Sequence, residues 1–275
     1  MATQIQPAVF IGHGSPMNAL GERETKQASP TPQASSFVRS MRDLGDRLRA
    51  RQPRAAIVFS AHWETDGLQV LAAERPRTIH DFYGFPRELF EISYPAPGEP
   101  KLAAKVLELL QYEDAISTVH WGLDHGVWAV MRHLWPDANL PIVMVSLARR
   151  LDPETHFRIG RLLKPLRADG VLILGSGNIV HNLKEMDRVT DSSPYQWALE
   201  FDTRIKQALE ERNEALLISA SRASDLAARK SVPTREHYLP LMPVLGATDP
   251  EEKPEFLMEE IQNGSISMRS VVYGL

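Results

Sequence analysis

Apolar residues fall along this chain in two rhythms that alternate. Short continuous runs bounded by glycine, proline or polar residues occupy Ala8–Ile11, Ala55–Ser60, Leu68–Ala72, Ile116–Val119, Pro141–Leu147, Val171–Leu174 and Met268–Tyr273. Runs of this length and β-branched content predict strands, and their lack of alternation predicts burial on both faces. Between them, Ser35–Arg51, Pro100–Leu110, Val127–Leu134, Pro153–Leu166 and Tyr195–Arg212 read as helices. Pro100 and Pro153 suit a first helical turn, and Asp152-Pro153-Glu154 reads as a cap followed by an acidic turn. Strands alternating with helices predict an α/β fold, a mixed and mostly parallel sheet covered on both sides. The 275 residues suit one such domain, with no repeat and no segment that reads as a linker.

Two segments depart from the scaffold pattern. Gly21–Pro32 is polar and punctuated by proline, which predicts a mobile loop. Arg75–Gly98 packs HDFYGFP and SYPAPG together, too aromatic for disorder. A loop that long reads either as a lid or wall over an aromatic ligand, or as an irregular segment folded back on the core.

Composition narrows the chemistry. With 43% hydrophobic and 24% charged residues the chain is an ordinary soluble type. A net charge of −4 gives no basic footprint for nucleic acid. The absence of cysteine removes disulfides, thiolate metal sites, Fe–S clusters and cysteine nucleophiles. Metal ligands are thereby restricted to His, Asp and Glu, which suit non-haem iron, zinc or manganese. No apolar run approaches the roughly 18 residues that span a bilayer. The opening MATQIQPAVFIG lacks the basic start of a signal peptide, so a cytoplasmic enzyme is the expectation.

Nucleotide and serine-hydrolase motifs fail. Gly12-His-Gly14 and Gly175-Ser-Gly177 open like dinucleotide fingerprints, but Met17 and Val180 stand where the third glycine belongs. No Walker lysine, G-x-S-x-G elbow or H-E-x-x-H is present. The histidines are more informative. His13, His62 and His181 each follow an apolar run ending in small residues, and His237 precedes another apolar stretch. Ligand sites in open α/β sheets lie outside the carboxyl ends of strands, so these histidines converge on one rim.

Singly, each histidine has an ordinary reading too. His13, between glycines, also fits a turn. If its strand continues, His62 shares a face with Glu64, which then serves as a ligand, as a partner orienting imidazole, or as a surface charge. His125 follows Asp124, and reads either as a residue whose tautomer Asp124 or a carbonyl fixes or as a helix cap. Glu236 and His237 compete if extended, since only one then faces the site. His80 stands where it could touch substrate, while His120, His133 and His156 read as structural.

FIGHGSPMNAL, SAHWET, IHDFYGFP, YPAPG, GLDHGVW, GSGNIVHNL and REHYLPLMPVLGA, in this order from about residue 9 to 247, together resemble the DOPA dioxygenase-type extradiol ring-opening family. These enzymes are relatives of the catalytic subunit of protocatechuate 4,5-dioxygenase. The resemblance implies a single αβα sandwich, with metal ligands at His13, His62 and His237. It places the catalytic acid/base at His181, sometimes counted as a fourth metal-site histidine, and a second-sphere histidine at His125. The aromatic loop with His80 and Tyr83 would wall the substrate. Protocatechuate-type enzymes use a glutamate where His237 stands here. A carboxylate triad marks Fe(II) oxygenases, whereas an all-histidine site also suits zinc. Fe(II) is the expected catalytic metal, Zn(II) a plausible bound one. The expected reaction opens a catechol with O2, with no nucleic-acid or membrane partner and the oligomeric state left open. A zinc-dependent amidohydrolase or esterase, or a non-enzymatic zinc-binding protein, would use the same histidines differently.

Overall fold

Six strands build the central sheet: β1 (Ala8–Gly12), β2 (Ala55–Ser60), β3 (Ile142–Met144), β4 (Val171–Gly177), β5 (Glu255–Leu257) and β6 (Ser270–Tyr273). In this computed structural model, which describes residues 4–20 and 32–275, they lie in the order β3-β2-β4-β1-β6-β5. The first four run parallel, while β6 and β5 join antiparallel. Alternation along each strand divides the interior in two. Phe10, Ile57, Phe59 and Ile173 enter one core, and Val9, Ile11, Val58 and Leu174 the other.

The first core lies beneath α2 (Pro100–Leu109), α4 (Pro153–Leu163) and α5 (Gln196–Glu210), helped by the short helices α6 (Glu214–Ala220), α7 (Leu226–Ser231) and α8 (Leu241–Gly246). The second lies beneath α1 (Pro32–Ala50) and α3 (His125–Leu134). Helices on both faces of a mixed sheet give the expected α/β architecture. No described helix is long and apolar enough to cross a membrane.

Several boundaries differ from the expectations for physical reasons. Leu68–Ala72 and Ile116–Val119 do form strands, at Gln69–Leu71 and Ile116–Thr118, but they pair with each other outside the main sheet. The helix expected to reach Leu166 ends at Leu163 and tightens into a 3-10 turn, Lys164–Arg167, around Pro165. Its start is as read, with the Asp152 side chain accepting from the Thr155 amide at 2.8 Å. β5 carries too few apolar residues to stand out. Most of the expected mobile loop, residues 21–31, lies outside the described residues, and its last residue, Pro32, opens α1.

For the site, one consequence matters. β2, β4 and β1 are adjacent and parallel, so whatever follows their carboxyl ends shares one rim.

Candidate metal centre

His13 leaves β1 with its amide still donating to the Gly177 carbonyl at 3.0 Å. The chain then turns through Gly14, whose φ of +62° suits glycine and whose absent Cβ would lie 2.6 Å from Met268 Sδ. His62 follows β2, but the strand stops at Ser60, whose hydroxyl accepts from the His62 amide at 3.2 Å. The period-two link between His62 and Glu64 is therefore broken. Glu64 sits instead in a two-residue ladder opposite Leu147.

His237 arrives by another route. It lies in a turn between α7 and α8, and its carbonyl accepts from the Asn178 amide at 2.8 Å. Gly177 makes this docking feasible, because a Cβ there would lie 2.1 Å from the same carbonyl oxygen. The turn also corrects the extended-chain reading of Glu236 and His237. Both reach the site, with Glu236 Oε1 3.0 Å from His237 Nδ1.

The ring centroids of His13, His62 and His237 lie 5.0, 5.1 and 5.4 Å apart. An imidazole bound to a zinc-like ion at about 2.0–2.1 Å has its centroid about 3.2 Å from the ion. Two such ligands then stand about 4.5 Å apart at right angles and about 5.2 Å at tetrahedral angles. The same geometry sets ligand nitrogens about 2.9–3.4 Å apart, and His13 Nε2 lies 3.2 Å from His62 Nε2. His237 Nε2 is buried without any hydrogen-bond partner, the signature of a lone pair awaiting an ion. The donor set fits a divalent metal.

Each ring's other nitrogen meets a polar group. Ser176 Oγ lies 2.5 Å from the Gly126 carbonyl, to which it must donate, so it accepts from His13 Nδ1–H at 2.9 Å. Asp81 Oδ2 stands 3.4 Å from His62 Nδ1, and Glu236 faces His237 Nδ1. In all three the proton belongs on Nδ1, which frees Nε2.

Burial, reinforced by the neighbouring imidazoles, holds His13 and His237 well below the usual histidine range. The same causes bring His62 down to about 3. At neutral pH these rings are neutral, as ligation requires. Burial also pushes Asp124 up to about 6, with Asp81 adding to the shift and the Ser60 hydroxyl opposing it.

His181 and His237 stack face to face, with centroids 3.5 Å apart and an interplanar angle of 8°. A metal lies in the plane of the imidazole that binds it, and two parallel planes share no point. His125 lies against His62 with centroids 3.9 Å apart; ligand atoms of His13, His62 and His125 lie within 4.8 Å of one another, and so do those of His181, Glu236 and His237. His125 is the first residue of α3, and Asp81 binds both its amide and its Nδ1 at 2.9 Å. Asp124, one of the two partners expected for His125, turns to Ser60 and Trp121 instead.

Phe82 packs edge-on to His125 at 5.5 Å and, with Phe85, Phe90 and Trp128, forms an aromatic wall. His80 belongs to this wall, its Nε2 bound to the Ile92 carbonyl at 3.0 Å. Tyr83 projects outward and is 92% exposed. His133 and His156 are buried on backbone partners, in keeping with a structural role. Sequence reasoning missed Asp81 and Ser176. HDF and GSG were visible as motifs, but nothing in them named a histidine partner.

An α/β sheet with neutral imidazoles gathered at one rim beside an aromatic wall defines a metal-dependent enzyme of aromatic substrates. Residues 7–274 match the family described as the catalytic LigB subunit of aromatic ring-opening dioxygenase, and the chain belongs to that family. It is 41% identical to the 4,5-DOPA dioxygenase extradiol of Escherichia coli (strain K12), over all of this chain and 97% of the relative. It is 32% identical to the Beta vulgaris protein of the same name, over 97% of this chain and 96% of that one. A crystal structure of an uncharacterized Escherichia coli K12 protein superposes with a TM-score of 0.79 at 37% identity, covering 97% of this chain and 99% of the other. The protein is an extradiol aromatic ring-opening dioxygenase.

Proposed function

We propose that this enzyme opens a DOPA-like catechol outside its diol with O2, at Fe(II) held by His13, His62 and His237. The whole chain serves as one catalytic domain. The observation that carries this is the mutual spacing of the three neutral rings, with every Nδ1 facing a polar partner. When bound, the metal supplies a Lewis-acid and redox centre for two adjacent catechol oxygens and for O2. Zn(II) fits the same donors and is the ion a purified sample can carry instead.

His181 acts as the acid/base. Burial lowers it to about 4, so its ring is neutral and able to accept a hydroxyl proton. Its ring stacks on His237 at 3.5 Å, which would set it beside a catechol held at a metal bound by His237. His125, with Nδ1 committed to Asp81, turns its remaining nitrogen toward the same space and helps return the proton. Phe82 and His80 flank the aromatic ring and exclude water, and Tyr83 stands at the exposed rim of the entrance.

The test is anaerobic loading with Fe(II), followed by admission of air to a panel of catechols. Ring opening consumes O2 and yields a yellow semialdehyde. No oxygen uptake with any catechol, or oxygen-independent hydrolysis of esters or amides, would overturn the proposal.

A further inference from the structure

Asp81 lies on none of the strands that build the rim. It sits in the segment Ile79–Phe85, next to the Phe82 that walls the site. Its Oδ1 accepts from the His125 amide at 2.9 Å, one of the donors that the start of α3 leaves without an intrahelical partner. Its Oδ2 accepts from His125 Nδ1 at 2.9 Å and faces His62 Nδ1 at 3.4 Å. One carboxylate thus addresses two histidines of different roles.

We infer that Asp81 is a positioning residue that sets the tautomers of His62 and His125 together and ties the aromatic wall to the metal centre. A carboxylate only accepts, so both imidazoles keep their proton on Nδ1. His62 is left with its Nε2 lone pair toward His13 Nε2, 3.2 Å away, where the metal belongs. His125 is left with its Nε2 lone pair available. At 3.4 Å the contact to His62 is longer than an ordinary hydrogen bond, so its influence there is mainly that of a nearby negative charge. The backbone bond to His125 keeps the carboxylate from swinging away. Asp124, the other acid nearby, does not compete, because Ser60 and Trp121 occupy both of its oxygens.

The inference rests on His62 being a metal ligand, and its test keeps the two apart. Asp81→Asn retains an oxygen for the His125 amide, so the helix start stays capped. It puts an NH2 group where Oδ2 faced the two rings. His125 must then accept at Nδ1 and carry its proton on Nε2, and His62 loses the negative charge that favours its Nδ1 proton. Imidazole 1H–15N correlation spectra of the zinc-free wild type should show His62 and His125 protonated on Nδ1, and those of Asp81→Asn should show His125 switched to Nε2. Zinc affinity, read by competition with a chelator, should fall about 10–100-fold in Asp81→Asn. Tyr112→Ala, at a side chain 89% exposed and outside the wall, should leave it unchanged.

Wild-type protein with either ring protonated on Nε2 overturns the inference, whether or not the variant folds. So does Asp81→Asn with zinc affinity within threefold of wild type, or with weaker binding but His125 unswitched. His62→Ala tests the underlying reading alone. If it binds zinc as tightly as wild type, His62 is not a ligand. If it loses zinc while Asp81→Asn does not, only the role of Asp81 falls.

Discussion

Gly177→Ala adds one methyl group at the point where β4 meets the backbone of His237. The new Cβ would sit 2.1 Å from the His237 carbonyl oxygen, whereas real Cβ contacts essentially never fall under 3.0 Å. The two backbones must therefore part by about 1 Å, while ligand distances in a working metal site hold to about 0.2 Å. Overpacking a rigid backbone contact costs about 1–3 kcal/mol. At roughly 2–4 °C per kcal/mol for a chain of this size, Tm should drop by about 2–12 °C. Zinc affinity should fall at least tenfold, because His237 moves with its carbonyl. Gly67→Ala is the control, with nothing within 4 Å of the added methyl, and should stay within about 0.5 kcal/mol of wild type. Thermal melts and chelator competition read both quantities. A Gly177→Ala protein with Tm unmoved and zinc affinity intact would refute the view that β4 anchors His237.

Other perturbations separate the roles of the remaining groups. Ser176→Ala leaves the buried His13 Nδ1–H without an acceptor, which should cost about 1–3 kcal/mol in chemical denaturation and about 10–100-fold in zinc affinity. His181→Ala should keep metal content, measured by elemental analysis, and lose at least about 100-fold in turnover; loss of metal would instead make His181 a ligand. His237→Ala should abolish zinc binding and Glu236→Ala only weaken it about 10–100-fold, and the reverse ranking in a chelator titration would hand coordination to the carboxylate. Removing metal present at 100 times its Kd withdraws about 2.7 kcal/mol. Tm should then fall by about 5–11 °C with the circular dichroism at 25 °C unchanged. Unfolding at 25 °C would favour the non-enzymatic zinc-binding alternative.

His13 and His62 were legible in the sequence because each ends an apolar run, and strands buried on both faces advertise themselves by their continuity. The same logic located His181 but could not tell ligand from base, and the proposed choice of base leans on its stacking against His237, 56 positions away. His237 has no strand before it. Only the turn that docks on Gly177 brings it and Glu236 to the rim together, and turn geometry defeated the extended-chain argument. Ser176 and Asp81 were hidden for a different reason. Their partners come from other segments, and a hydroxyl or carboxylate has no periodicity to betray what it faces. Gln69–Leu71 reads like any other buried strand, since strand character follows from side chains but sheet membership follows from which backbone edge is left to pair.

The sheet also imposes an order of events on a growing chain. β1 occupies residues 8–12, yet one of its two neighbours, β6, ends at Tyr273, and Gly12 donates to Ser270 across 258 positions. His237, the proposed third ligand, follows His62 by more than 170 residues, and the strand that pairs with β1 on its other side lies further along still. An ion meeting the nascent chain finds at most two of its three nitrogens on an unfinished scaffold. On the proposed ligand set, all three nitrogens come together only when segments more than 220 residues apart are assembled on one sheet, so capture by the full set requires the folded sheet.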